Sequence, residues 1–171
     1  WCLMKNHFHL LVRVKEEKEI GYLNSKNAKS EDPEIKWKTF LLDEPIKDCY
    51  KKPDPKQQFK HLFNAYSSWF NLYHKRRGSL FEFNYKRKRV NNLKQLRNLI
   101  LYIHFNPVNH GFVDHIIEYP WTSYLSIITE ENSFVKKEEV IKLFEDIDNF
   151  KYVHRKKLEL IHQEIEDLAM E

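Results

Sequence analysis

Two short runs of residues in this 171-residue chain could do chemistry. The first is His7-Phe8-His9. Successive side chains of an extended segment alternate sides, so imidazoles at i and i+2 point the same way and can reach one metal ion, while Phe8 between them anchors the segment in the core. The second is Tyr102-Ile103-His104-Phe105-Asn106. On a helix Tyr102 and Asn106 lie one turn apart and share a face, which stands a phenol beside a carboxamide oxygen. A phenol with an ordinary pKa of ~10 is a poor nucleophile at neutral pH and needs a cation or a base nearby. A metal held by His7, His9 and the Asn106 oxygen would supply the cation and keep positions open for phosphate oxygens. Each run alone is a weak signal in a chain with nine histidines and nine tyrosines. Together they suggest phosphoryl transfer.

The elements that must position these groups can be read from periodicity. Phe8 to Val14 alternates as a strand, with Phe8, Leu10, Val12 and Val14 on one face and His7, His9, Leu11 and Arg13 on the other. Trp1 to Met4 reads as the end of a preceding strand, and Lys5 and Asn6 as the turn. From Lys15 to Pro55 the pattern breaks into polar residues with Pro33, Pro45, Pro53 and Pro55, a long and partly structured insertion. Phe59, Leu62, Phe63, Tyr66, Phe70 and Tyr73 recur at helical steps, and Gly78 closes this helix just beyond Arg77. Ser79 to Val90 reads as a strand with a basic far end. A second helix follows, capped by Asn91 or Asn92, with Leu93, Leu96, Leu99, Ile100 and Ile103 as its buried stripe up to a break at Pro107. Gly111 and Pro120 bracket an extended connection into Trp121 and Tyr124. Two amphipathic segments, around Val140, Ile141 and Phe144 and around Leu158, Ile161, Ile165 and Leu168, predict packing or partner helices.

Composition narrows the class. With 42% hydrophobic and 15% aromatic residues and only 3 Gly and 6 Pro, this is a folding sequence long enough for one domain with a helical appendage. No apolar run approaches the ~20 residues a spanning helix needs, and the start carries no signal-peptide pattern, so an intracellular protein is expected. Cys2 and Cys49 lack the spacing of a zinc site and read as inert thiols. The chain opens at Trp1 rather than methionine, and its densest motif falls within ten residues, so a preceding segment is expected. Charge is unevenly spread. Between Phe59 and Val90 eight basic residues face one acid, Glu82, a balance of +7 that leaves −3 for the rest of a chain whose net charge is +4. A basic middle of this kind suggests a polyanion surface, while on charge alone a solvated charged face is an equal reading.

Four blocks in order carry a resemblance: Cys2-Leu3-Met4-Lys5-Asn6-His7-Phe8-His9-Leu10-Leu11-Val12, Arg77-Gly78-Ser79-Leu80-Phe81, Tyr102-Ile103-His104-Phe105-Asn106-Pro107-Val108 and Tyr119-Pro120-Trp121-Thr122-Ser123-Tyr124. They resemble the HUH single-tyrosine transposases, in particular the insertion-sequence-200-like and REP-associated tyrosine transposases. The resemblance implies an α+β, ferredoxin-like (RRM-like) fold, an antiparallel sheet with helices on one face, here without its first strand and helix. It implies a catalytic domain over residues 1–126, carrying the insertion at about 15–55, and a C-terminal helical extension over 127–171. His7 and His9 match the metal-binding pair, Asn106 the residue that completes the metal site, and Tyr102 the nucleophile. The implied reaction cleaves and rejoins single-stranded DNA through a 5′-phosphotyrosine link, with Mg²⁺ or Mn²⁺ and no nucleotide cofactor. The implied setting is the prokaryotic cytoplasm at the nucleoid, with hairpin-bearing single-stranded DNA as partner, no membrane, and an active site built in one chain or shared in a homodimer.

On this reading Lys75, Arg76, Arg77, Lys86, Arg87, Lys88 and Arg89 track phosphates. Tyr85 or Trp69 would be available for base stacking, although the helical register of Trp69 and Tyr66 favours a core location for both. Lys5 stands where the family has proline. Two alternatives accompany the enzyme: a binding module that grips structured DNA or RNA without cutting, and a metal-dependent hydrolase in which water replaces Tyr102.

Overall fold

The computed structural model describes residues 1–38, 49–82, 85–129 and 133–169, with the side chains at 35 and 164–169 outside that description. The chain is α+β and divides into two compact units, Trp1–Leu11 with Lys88–Glu171, and Val12–Arg87.

The first unit begins with a hairpin of β1 (Cys2–Leu3) and β2 (Phe8–His9), antiparallel, with Cys2 opposite His9 and Leu3 opposite Phe8. Lys5 and Asn6 form the expected turn, closed by the Met4 amide donating to the His7 carbonyl at 2.8 Å. The other edge of β1 is also paired: Leu3 N–H donates to the Trp121 carbonyl (2.8 Å), Ser123 N–H to the Trp1 carbonyl (2.9 Å), and the Tyr119 hydroxyl to the Leu3 carbonyl (2.9 Å). The strand expected over Phe8 to Val14 pairs only at Phe8–His9. Its continuation is not in a strand, and Leu10, Val12 and Val14 are exposed.

Helix α4 (Leu93–Asn109) starts at Asn92, whose side chain accepts from the Gln95 amide at 2.8 Å while Gln95 Oε1 accepts from Asn91 N–H at 2.9 Å. Pro107 does not end it. The ring forgoes one hydrogen bond to the Ile103 carbonyl, near the helix end, and burial of Ile103, Phe105 and Val108 at ~1.5–3 kcal/mol each outweighs that loss. A 3-10 turn (Ile116–Glu118), α5 (Ser123–Ile128), α6 (Lys137–Leu143) and α7 (Ile147–Ala169) complete the unit. Residues after 126 contribute Ile127, Phe144, Phe150, Leu158 and Ile161 to the same core as Ile100 and Phe105 of α4. A smaller cluster of Cys2, Met4 and Ile103 fixes the hairpin onto α4.

The second unit holds the insertion, a three-stranded antiparallel sheet of order β4-β3-β5 (Trp37–Lys38, Tyr22–Asn24, Tyr50–Lys51) with short helices α1 (Glu17–Ile20) and α2 (Pro33–Lys36). Pro45 lies outside the described residues. Helix α3 (Pro55–Tyr73) is capped by Asp54, with Pro55 at its first turn. It ends at Tyr73, short of Gly78, because Lys75 already turns at φ 49°. Residues 79–82 and 85–90 form no strand. Phe81 and Tyr85 instead pack their rings on Phe59 and Phe63 of α3, at 5.3–5.8 Å between centroids, so their aromatic character serves helix packing rather than a ladder. Tyr66 and Trp69, expected in the core, are 46% and 55% exposed. Among the described residues no helix is long and apolar enough to cross a membrane.

Within the large core runs a polar chain. His154 Nδ1 bonds the Phe150 carbonyl (2.7 Å), His104 Nδ1 meets His154 Nε2 (3.0 Å), and His104 Nε2 meets Ser123 Oγ (3.0 Å). A carbonyl only accepts, so His154 carries its proton on Nδ1; its Nε2 then accepts from His104, and His104 Nε2 shares the single Ser123 hydroxyl proton with the Trp1 carbonyl, 3.2 Å from the same oxygen. Neutral rings satisfy every link. Burial depresses both histidines, His104 well below the ordinary range with the neighbouring His154 adding to it, and His154 to about 4. Below pH ~6.5 the unfolded chain therefore takes up protons that the folded chain refuses, and stability falls as the pH drops toward about 4. Urea unfolding followed from pH 7.5 to 4.5 is expected to show this loss, and His104→Leu, which strands His154 Nε2, to lower stability by about 1–3 kcal/mol at pH 7.5 while flattening the pH dependence.

Candidate active site

All four residues predicted for the chemistry lie in the first unit, and the hairpin and α4 bring the rings of His7, His9 and Tyr102 together. His7 and His9 flank Phe8 on β2 and its entry, with ring centroids 5.1 Å apart and nearly perpendicular planes. The His9 ring also meets the edge of Tyr102 at 5.4 Å. Asn106, one turn beyond Tyr102, is buried, and its neighbours Ile103 and Phe105 pack into the two cores on either side.

Asn6 orients the first imidazole. Its side-chain oxygen lies 2.8 Å from His7 Nδ1, so that nitrogen carries the proton and Nε2 presents a lone pair. This is the arrangement in which outer partners set the tautomer of a metal-ligating histidine. Lys5, in the turn, lies with its ammonium 5.3 Å from the Phe112 ring centroid, which ties the hairpin tip to the segment after α4. Lys5 therefore has an anchoring contact of its own.

The second imidazole is prepared differently. Burial lowers the pKa of His9, and the neighbouring His7 and His110 lower it further, so it is held as the neutral ring that ligates metals. Its Nε2 is buried without a hydrogen-bond partner, and so is Oδ1 of Asn106. A buried polar atom left unsatisfied costs ~1–3 kcal/mol. Two such atoms lie on the strand and on the helix that carry the residues predicted to ligate, and each is free to give a lone pair to a cation. Among the described residues no three His, Cys, Asp or Glu side chains form a metal-ligand group.

Tyr102 is 49% exposed, so its phenol faces the solvent side rather than the core. A cleft of about 420 Å³ is lined by Asn98, Leu101, Tyr102, Phe105, Asn109 and Lys157, and His7, His9 and Asn106 are not among its lining residues.

His110 belongs to this constellation and is missing from the sequence reading. It caps α4, its ring lies 5.6 Å from that of His7, and it continues the row Tyr102, Asn106, His110 at four-residue steps. That spacing was the available signal; the Pro107 break hid it. The seven basic residues assigned to DNA are all exposed, and among the described residues none of them is in an ion pair. Lys75, Arg76, Arg77, Lys86 and Arg87 belong to the second unit, Lys88 and Arg89 to the first.

Removing the orphaned oxygen should weaken the ion. Asn106→Ala is expected to reduce Mn²⁺ affinity about tenfold or more, the loss of roughly 1.4 kcal/mol, and Asn106→Asp to retain or raise it, as read by calorimetry and by the electron paramagnetic resonance of free Mn²⁺. Equal affinity in all three proteins would remove Asn106 from the ligand set. Compared with family models, with characterised proteins and with solved structures, the chain finds no match.

Proposed function

We propose that this chain is a single-stranded DNA transposase of the HUH single-tyrosine type, cleaving and rejoining strands with Tyr102 as nucleophile. The observation that carries the reading is the meeting of the His9 and Tyr102 rings at 5.4 Å; the unsatisfied buried atoms His9 Nε2 and Asn106 Oδ1 support it. The order of the four sequence blocks supports it independently. On this reading the hairpin and α4 belong to a ferredoxin-like domain, Mg²⁺ or Mn²⁺ is held by His7, His9 and Asn106, and the protein acts on hairpin-bearing DNA in a prokaryotic cytoplasm.

The chain's own groups divide the work. The bound ion would withdraw charge from the phosphate and so favour attack on phosphorus. Tyr102 Oη forms the new P–O bond, the P–O3′ bond breaks, and the phenol proton passes to solvent while the released 3′-oxygen gains one. The phosphotyrosine keeps the energy of the broken diester, so a second 3′-hydroxyl can reverse the step without a nucleotide. His9, kept neutral by burial, holds its lone pair ready without first losing a proton, and Asn6 holds Nδ1 of His7 so that Nε2 is the atom turned to a ligand. The half-exposed placement of Tyr102 admits a strand that the buried Asn106 could not meet alone.

A second reading, a binding module without cutting, draws on the exposed basic residues, none of which depends on Tyr102. One experiment separates the two. Incubated with labelled hairpin-bearing single-stranded DNA and Mn²⁺, the wild-type chain is expected to form a covalent adduct that survives denaturation and vanishes in Tyr102→Phe, with DNA affinity changed by less than about threefold. Binding without any adduct would leave the module, and cleavage that persists in Tyr102→Phe would mean that water is the nucleophile.

A further inference from the structure

Helix α3 is 19 residues long, yet none of its residues is buried. Its two sides differ. Phe59 and Phe63 are half-buried under Phe81 and Tyr85, whereas Leu62, Tyr66, Trp69 and Tyr73 form a row at i, i+4, i+7 and i+11 that is 46–69% exposed, flanked by Leu72. The rings of this row are arranged as a stair. Trp69 and Tyr73 stack at 5.4 Å with planes 20° apart, and Tyr66 meets Trp69 at 6.0 Å and 36°. From Tyr66 to Tyr73 the helix rises roughly 10 Å, about three steps of stacked bases at ~3.4 Å.

The charge around this row is of one sign. No acidic residue occurs between Asp54 and Glu82, and Lys75, Arg76 and Arg77 follow the last ring directly. Arg76 is fixed there, its guanidinium 5.7 Å from the Phe70 ring centroid and its Nη2 donating to the Ser79 carbonyl at 3.2 Å. Ring faces in a row, ending in exposed cations, match what an unpaired strand presents, flat bases joined by phosphates. A second copy of the chain would instead bring two acid-free, basic faces together, which like-charge repulsion opposes.

The geometry points to the Tyr66–Trp69–Tyr73 face of α3 as a stacking platform for unpaired bases of single-stranded DNA, with Lys75 and Arg77 on the adjoining phosphates. This inference rests on the reading of the chain as a single-stranded DNA protein and adds the place where strand, rather than scissile phosphate, is held. It is independent of metal and of Tyr102.

The test uses the full chain carrying Tyr102→Phe, without divalent metal, and a labelled oligothymidylate of twelve nucleotides followed by anisotropy and tryptophan quenching. Trp69→Ala and Tyr73→Ala are each expected to weaken binding roughly tenfold, Trp69→Phe to keep most of it, and a blunt duplex of equal length to lack the Trp69-dependent quenching. Unchanged affinity in the double variant Trp69→Ala/Tyr73→Ala would overturn the platform, as would its conversion of a dimer to a monomer in sedimentation, which would make the face a self-association surface. The two readings fail separately. A normal covalent adduct with no effect of the rings removes the platform and leaves the nuclease, whereas ring-dependent binding by a chain that forms no adduct supports the platform and removes the nuclease.

Discussion

Everything proposed for the active site depends on how a hairpin with only two residue pairs is held against one helix. Isolated hairpins of this size are marginal in water. Here β1 is paired on both edges, by β2 and by residues 121–123, and its side chains Cys2 and Met4 bury against Ile103. That contact sets the distance between strand and helix, and hence whether an imidazole and a phenol from separate elements can meet. The hydrophobic effect determines the spacing, and the polar groups are carried along with it.

The second support lies behind α4. The face opposite the hairpin packs Ile100, Phe105 and Val108 against Phe144, Phe150 and Leu158, and the histidine chain threads this packing through His104. His104 sits between Ile103, which faces the hairpin, and Phe105, which faces α7. One helical turn thus touches the small core, the polar chain and the large core in succession, and Asn106 follows directly. The position of the buried carboxamide is determined by three kinds of neighbour at once, a condition for a site whose geometry must not drift.

Much of this was legible in the residues. The His7/His9 pair, the turn at Lys5 and Asn6, the Asn92 cap and the amphipathic helix over Phe59 to Tyr73 follow from local rules of alternation, capping and period, which act over a few residues. What escaped depended on distant partners. Alternation marks Leu10, Val12 and Val14 as strand, but a strand needs a ladder, and the one formed with β1 ends at His9. The aromatic run from Ser79 has the composition of a strand, yet its rings find partners in a helix. Pro107 is a helix breaker by local chemistry and is overruled by burial. His110 was lost with it, and the polar chain of His104, His154 and Ser123 joins residues 50 and 19 positions apart, beyond any short-range pattern.

Cys2 offers a consequence of a different sort. Its side chain is fully buried between β2 and Thr122, burial pushes its thiol pKa up, and it is free of any disulfide. Only the thiolate reacts readily with alkylating agents, so Cys2 stays silent while the hairpin is closed, whereas Cys49 is partly accessible. The rate at which Cys2 becomes labelled thus clocks how often the strand bearing the two imidazoles lifts off its helix, a native timer built into the support of the site.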